Sequence, residues 1–252
     1  SIHFPDWVSP ALALAQQTLE SCHAPDSFDF VGQIDETLPR EGYRMQLSPM
    51  ESGKQTLRVS GGSDVGLMYG AMDFVNRIIP AAEQAHKWMF PYYFVNPFET
   101  GFAPMDETSS PSVARRGLWT WGHVIYDYRG YLTNMARLKL NELVIWNDFA
   151  PLNADEIVAF AHGLGIRIIW VFLGMDTSIK TDLSDPLALH ALEDSVVDTF
   201  VRHYAALPGD GIYFQSFTET AEEEHNGQII ADVVVRWVNR VCARILTLKP
   251  DL

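Results

Sequence analysis

The sequence is short of basic residues and cysteine and has no long apolar run, and each shortage closes off a class of function. Lys and Arg number 18 against 32 Asp and Glu, for a net charge of -14 over 252 residues. Such a chain repels a phosphate backbone instead of neutralising it, so nucleic acid is not an expected partner. The same excess of carboxylate keeps ordinary globular enzymes soluble and by itself points to no ligand. Cys22 and Cys242 lie far apart with no CxxC or Cys/His spacing, and read as packing residues, not as a zinc or redox pair. No stretch approaches ~18 uninterrupted apolar residues, and the segment from Ser1 lacks the basic and apolar parts of a signal peptide. The expectation is a soluble chain without membrane contact, cytoplasmic or exported after removal of a leader. The glycine patterns of dinucleotide and phosphate loops are absent, as are repeats and low-complexity tracts.

What is present suits a sizeable core: 47% of residues are hydrophobic and 20% charged, enough for one or two folded units. Leu12, Ala15 and Leu19 recur at helical spacing and predict a helix over Pro10 to Ser21. Gly42 to Leu47 alternates like a half-buried strand, Gly53-Lys54 reads as a turn, and Gln55 to Ser60 as the returning strand. Asp64 is then the expected N-cap of a helix from Val65 to Ile79, with Pro80 closing it. From Ala81 to Pro111 the chain is rich in Pro, Gly and aromatics and reads as a connector.

Beyond Pro111 the pattern becomes strand, helix, strand, helix, which predicts a parallel sheet with crossover helices. The strands are expected at Arg116 to Gly122, Asn141 to Trp146, Ile166 to Phe172 and Gly211 to Phe217. The helices are expected at Tyr128 to Leu138, Ala154 to Leu164, Leu187 to Ala206 and Gln228 to Leu248. A doubly wound sheet satisfies this pattern as well as a barrel does.

The phrases Glu41-Gly42-Tyr43-Arg44-Met45-Gln46-Leu47, Leu57-Arg58-Val59-Ser60 and Gly66-Leu67-Met68-Tyr69-Gly70-Ala71 resemble the non-catalytic N-terminal domain of β-N-acetylhexosaminidases and α-glucuronidases. There a "G-Y-x-L" strand, a hairpin partner and a "G-L-x-Y-G" helix recur in this order. Arg116-Gly117-Leu118, the phrase Met135 to Asn141 and Ala161-His162-Gly163-Leu164-Gly165-Ile166 resemble the opening of the barrel of family-20 glycoside hydrolases. The resemblance implies an N-terminal α/β domain over residues 1–110, connector included, and the first half, four βα units, of a TIM (β/α)8 barrel over 111–252. It implies an active site at the C-terminal ends of the barrel strands.

The resemblance also implies a carboxyl pair, Asp then Glu, after the fourth strand, where this chain has Thr218-Glu219. Glu219 matches the general acid, which protonates a departing glycosidic oxygen; the alternative is a helix-cap or solvated loop carboxylate. Thr218 cannot carry the charge that orients an acetamido group, which argues against substrate-assisted hexosaminidase chemistry. Arg116 matches an arginine that binds sugar hydroxyls, and pairing with a structural carboxylate is the equal alternative. Trp146, Asn147 and Asp148 bring an aromatic face and hydrogen-bonding groups to the second strand's C-terminal end, although Asp148 serves equally as a turn cap.

Asp176 follows strand three and would line the same mouth. Trp119, Trp121 and His123 alternate so that all three can face one way. The run Glu222-Glu223-Glu224-His225 reads as a solvated face at a helix start, not a metal site. The resulting expectation is a glycosidase acting on a glycan or oligosaccharide, with neither metal nor cofactor; a non-catalytic carbohydrate-binding or scaffold protein on the same fold is the alternative. Only four strands precede Leu252, so further barrel sequence is expected after it.

Overall fold

The computed structural model describes residues 1–89, 96–146, 150–172, 180–214 and 220–252. The chain divides by internal contacts into two units. One comprises Ser1–Arg116 with Gly130–Leu140 and Gly163–Gly165; the other comprises Gly117–Arg129, Asn141–His162 and Ile166–Leu252.

The first unit begins with β1 (Ile2–His3), α1 (Pro10–Glu20), β2 (Phe28–Ile34), β3 (Tyr43–Leu47), β4 (Gln55–Gly61) and α2 (Asp64–Asp73). A π-helical turn, Phe74–Ile78, leads into α3 (Ile79–Met89); α4 (Pro97–Thr100) and β5 (Met105–Ser109) follow. The strands form one sheet in the order β1-β2-β4-β3-β5, with β3 antiparallel to both of its neighbours. Alternation in β3 buries Tyr43, Met45 and Leu47 on the face that receives the helices.

The "G-Y-x-L" and "G-L-x-Y-G" phrases are two sides of one close contact. A Cβ on Gly66 would stand 2.2 Å from the Gly42 carbonyl oxygen, and one on Gly70 would stand 2.4 Å from Val59 Cγ1, so α2 lies on the sheet at a distance only glycine permits. Phe28, Phe30, Phe74, Phe98 and Phe102 pack ring against ring beside it.

Three expectations for this unit need correction. Ser63, not Asp64, is the N-cap, accepting from the Val65 and Gly66 amides. Pro80 does not close the helix. The preceding π turn shifts the hydrogen-bond register, so Pro80 occupies the second position of α3, where its missing N–H has no partner to lose. The supposed connector contains β5, which pairs along the whole of β3, and β2 had no place in the sequence reading.

Next along the chain come β6 (Gly117–Trp119), α5 (Tyr128–Arg137, most of which belongs to the first unit), β7 (Glu142–Ile145), α6 (Ala154–Gly163) and β8 (Arg167–Phe172). After these come α7 (Pro186–His203), β9 (Gly211–Phe214), a hairpin of β10 (Glu224–His225) with β11 (Gln228–Ile229), and α8 (Ile230–Leu248). The four strands β6 to β9 are parallel and lie in the order they have along the chain. A doubly wound sheet reverses its order at a switch point, and no reversal occurs among the described strands. The run Glu222 to His225 does not start a helix; Glu224 and His225 belong to the hairpin.

Candidate functional site: an aromatic cluster at the strand ends

Register decides which side chains share a face. Trp119 pairs with Val144, Val144 with Ile169, and Val171 with Tyr213, so these residues point to one side. The alternate positions Leu143, Ile145, Ile168 and Trp170 point to the other and are buried. In a flat sheet β6 and β9, three places apart, would be separated by about 14 Å. The rings of Trp119 and Tyr213 meet at 4.6 Å edge to face. The sheet is therefore curled, and both rings lie on its concave side.

Beyond the strands this face continues as a cluster. Trp121 stacks on Trp146 with centroids 5.0 Å apart and planes at 28°, and Trp119 touches both at 5.1 and 5.8 Å. The expected strand through Gly122 stops at Trp119, because Trp121 (φ 50°) and Gly122 (φ 74°) adopt the left-handed conformation, which no strand can use. For a tryptophan this conformation costs about 1–2 kcal/mol. The turn is held by Gly122 N donating to Trp146 O at 2.7 Å, His123 N to Thr120 O at 3.0 Å, and Trp146 N to the buried Thr120 hydroxyl at 2.8 Å. Backbone strain over-determined by surrounding bonds is characteristic of ligand sites. Trp121 remains 66% exposed, so the stacked pair presents an open aromatic face.

Of the residues singled out from sequence, Trp146, Trp119 and Trp121 are thus brought together, and His123 is exposed on the same loop. Asn147, Asp148, Asp176, Thr218 and Glu219 lie outside the described residues. Tyr213 was missed; its signal was the two-residue period from Gly211 on the fourth strand. Thr120 was missed as well, because a hydroxyl that ties two strand ends together leaves no pattern in sequence.

The structure gives Arg116 the carboxylate partner that was the alternative to sugar contact. It precedes β6, at the strand's N-terminal end. Its Nε donates to Lys139 O at 2.6 Å, Nη1 to Val113 O at 2.5 Å, and Nη2 to both Glu41 oxygens at 3.0 Å. The fork is occupied within the first unit. Beside it Lys139 Nζ donates to Asp73 Oδ1 at 2.7 Å and to the Tyr43 hydroxyl at 3.0 Å. Burial pulls the Lys139 pKa down, but its bonds to Asp73 and Tyr43 outweigh that and leave it raised. Burial likewise pushes the Tyr69 phenol up to about 12, helped by the nearby Glu41 charge. These groups build a polar core for the first unit.

Among the described residues no cluster of His, Cys, Asp and Glu is arranged to hold a metal ion. No helix among them is long and apolar enough to cross a membrane.

A small α/β unit followed by four consecutive parallel strands joined through helices, with aromatic rings at the strands' C-terminal ends, defines the class of fold: a mixed α/β chain with a curled parallel sheet. No protein-family model and no curated protein sequence matches the chain. Solved structures do. It superposes on the GH20 β-N-acetylhexosaminidase of Streptomyces coelicolor A3(2) with a TM-score of 0.57 at 13% identity, covering 97% of this chain and 60% of that one. A mutant β-hexosaminidase of Streptomyces plicatus in complex with its product GlcNAc gives 0.56 at 12% identity, covering 97% and 59%. The GH20 exo-β-N-acetylglucosaminidase of Vibrio harveyi bound to N-acetylglucosamine gives 0.51 at 13%, covering 98% and 46%. The structural likeness is thus to family-20 glycoside hydrolases and is a likeness of fold. This chain spans roughly half of each enzyme's length.

Proposed function

We propose that this chain is part of a glycoside hydrolase acting on a glycan or oligosaccharide. Residues 1–110 form a non-catalytic domain, and 111–252 form the first four βα units of a (β/α)8 barrel. The observation that carries the reading is the stacked Trp121–Trp146 pair at the C-terminal ends of parallel strands, backed by Trp119 and Tyr213 on the concave face. Aromatic faces suit the C–H surface of a sugar ring, and the C-terminal end of a barrel sheet is where sites are built.

In this reading Trp121 and Trp146 form the platform of a subsite. Asn147, Asp148 and Asp176, on the loops after the second and third strands, accept or donate hydrogen bonds to hydroxyl groups. Glu219, after the fourth strand, is the general acid: its carboxyl proton passes to the glycosidic oxygen as the C–O bond breaks, so the leaving group departs as a neutral alcohol. Thr218 removes the charge that would orient an acetamido group, so the reaction does not depend on substrate assistance.

A second reading, a carbohydrate-binding protein without turnover, is favoured by that same Thr218. Two variants assayed in the longest natural form of the protein separate the two. Against a panel of chromogenic glycosides, Glu219→Gln is expected to lower kcat by at least a hundredfold while leaving binding intact. Trp121→Gly is expected to weaken sugar binding tenfold or more. Turnover unchanged in Glu219→Gln refutes the acid assignment. Sugar binding by a parent that hydrolyses none of the glycosides favours the second reading.

A further inference from the structure

A cavity of about 580 Å³ opens between the first turns of α7 and the N-terminal half of α8, sharing no residue with the aromatic cluster. Its apolar wall is Leu183, Leu189 and Val233, continuous with the core around Trp237 and Phe200. Its polar wall carries Arg236 and Arg240, one turn apart on α8, facing His190 and Glu193 of α7.

The charges on this wall do not cancel. Glu193, 4% exposed, accepts from Arg240 Nε at 3.0 Å and Arg244 Nη1 at 3.1 Å; Asp194 accepts from Arg244 at 2.7 Å and lies 3.7 Å from His190. Two carboxylates thus answer Arg240 and Arg244. Arg236 forms no ion pair among the described residues, and Asp232, one turn before it on α8, does not line the cavity. Of the charged side chains that line the cavity itself, Arg236, Arg240 and Glu193, one guanidinium is thus left over.

We propose that this cavity binds a small organic monocarboxylate with a hydrocarbon body. Its carboxylate is received by the Arg236 fork, with the η nitrogens of Arg240 beside it, and its carbon chain lies on Leu183, Leu189 and Val233. A planar carboxylate matches the guanidinium fork in geometry. A single uncompensated positive charge matches a monoanion, whereas the buried Glu193 carboxylate opposes a dianion such as phosphate. The volume falls within the range of small-molecule sites. The site is independent of the glycosidase reading, since none of its residues belongs to that mechanism.

Calorimetric titration of the whole chain with hexanoate, hexanamide and inorganic phosphate tests it. Hexanoate is expected to bind at least tenfold more tightly than either of the others, and Arg236→Gln to weaken hexanoate at least tenfold while leaving hexanamide unchanged. Arg236 is exposed, so this variant is expected to keep the parent's circular dichroism and melting profile. Equal binding of hexanoate and hexanamide, tighter binding of phosphate, no heat with hexanoate at millimolar concentration, or an unaffected Arg236→Gln protein would each overturn the proposal.

Discussion

Replacing Glu193 with Gln tests how the helices of the second unit are locked together. Glu193 projects from α7 with 4% exposure and receives two guanidiniums from α8, at 3.0 and 3.1 Å. Hydrogen bonds to charged groups contribute about 1.5–3 kcal/mol each. The side chains of Arg240 and Arg244 are 50% and 39% exposed, so when freed they regain water, and the lower end of that range applies. Two such bonds give about 3 kcal/mol, and the amide oxygen of Gln preserves one neutral-acceptor bond, leaving a loss of about 2 kcal/mol. For a chain of this size that is a fall in melting temperature of about 4–8 °C at pH 7. Burial alone would raise the Glu193 pKa, but the bonds to Arg240 and Arg244 outweigh it and hold it below its ordinary 4.5. A carboxylate whose folded pKa is depressed contributes stability that is full above its unfolded pKa and lost as pH falls through the folded one. The gap between parent and variant should therefore be constant above about pH 4.5 and narrow below it. Urea unfolding followed by circular dichroism at pH 7 and pH 3 reads both values. A variant as stable as the parent at pH 7, or a gap unchanged at pH 3, refutes the reasoning.

Three further outcomes follow from the same structure. Lys139→Met strips the cation from Asp73 and Tyr43 in the first unit and should cost about 2–3 kcal/mol by urea unfolding; because the Lys139 pKa is raised, the parent's advantage holds below about pH 10.5 and fades as pH rises through the folded value. Gly66→Ala puts a Cβ 2.2 Å from the Gly42 carbonyl, and since backbone must move it should cost about 3 kcal/mol, again measured by urea unfolding. Trp121→Gly relieves a left-handed tryptophan while removing a stacked ring, two effects of about 1 kcal/mol and opposite sign. Its melting temperature should therefore stay within a few degrees of the parent's while sugar binding measured by calorimetry weakens.

The fold was most legible where side-chain period and burial agree. The run Ile168 to Val171 and the pair Leu143-Val144 announced strands because both faces are covered by packed residues, and the α7 and α8 helices showed their apolar stripes directly. Boundaries failed where a local device overrode the period. A π turn carries a helix through Pro80, and two left-handed residues cut β6 at Trp119 when the alternation of Trp119 and Trp121 suggested more strand. β2 escaped because Gly32 interrupts its alternation. That glycine is required: a Cβ there would stand 2.4 Å from the Phe4 ring.

The site was less legible than the fold, and the reason is physical. Sequence can say that an arginine suits a sugar hydroxyl; it cannot say what else is within reach of the fork, and Glu41, 75 positions away in the chain, is. The tryptophans were easier, since a large ring at a strand end has few ways to hide, yet their common face depends on curvature that brings β9 round to β6. That curvature is what turns isolated aromatic residues into a surface. If the curl relaxed, Trp119 and Tyr213 would separate by several ångströms, and Trp119 would lose the ring that backs its contacts with Trp121 and Trp146. Sugar affinity, in the proposed function, is consequently tied to the closure of the sheet as much as to any one ring, and Tyr213→Ala should weaken binding without touching the Trp121–Trp146 stack. Binding that survives Tyr213→Ala at full strength would separate the platform from the curvature and leave the stacked pair to act alone.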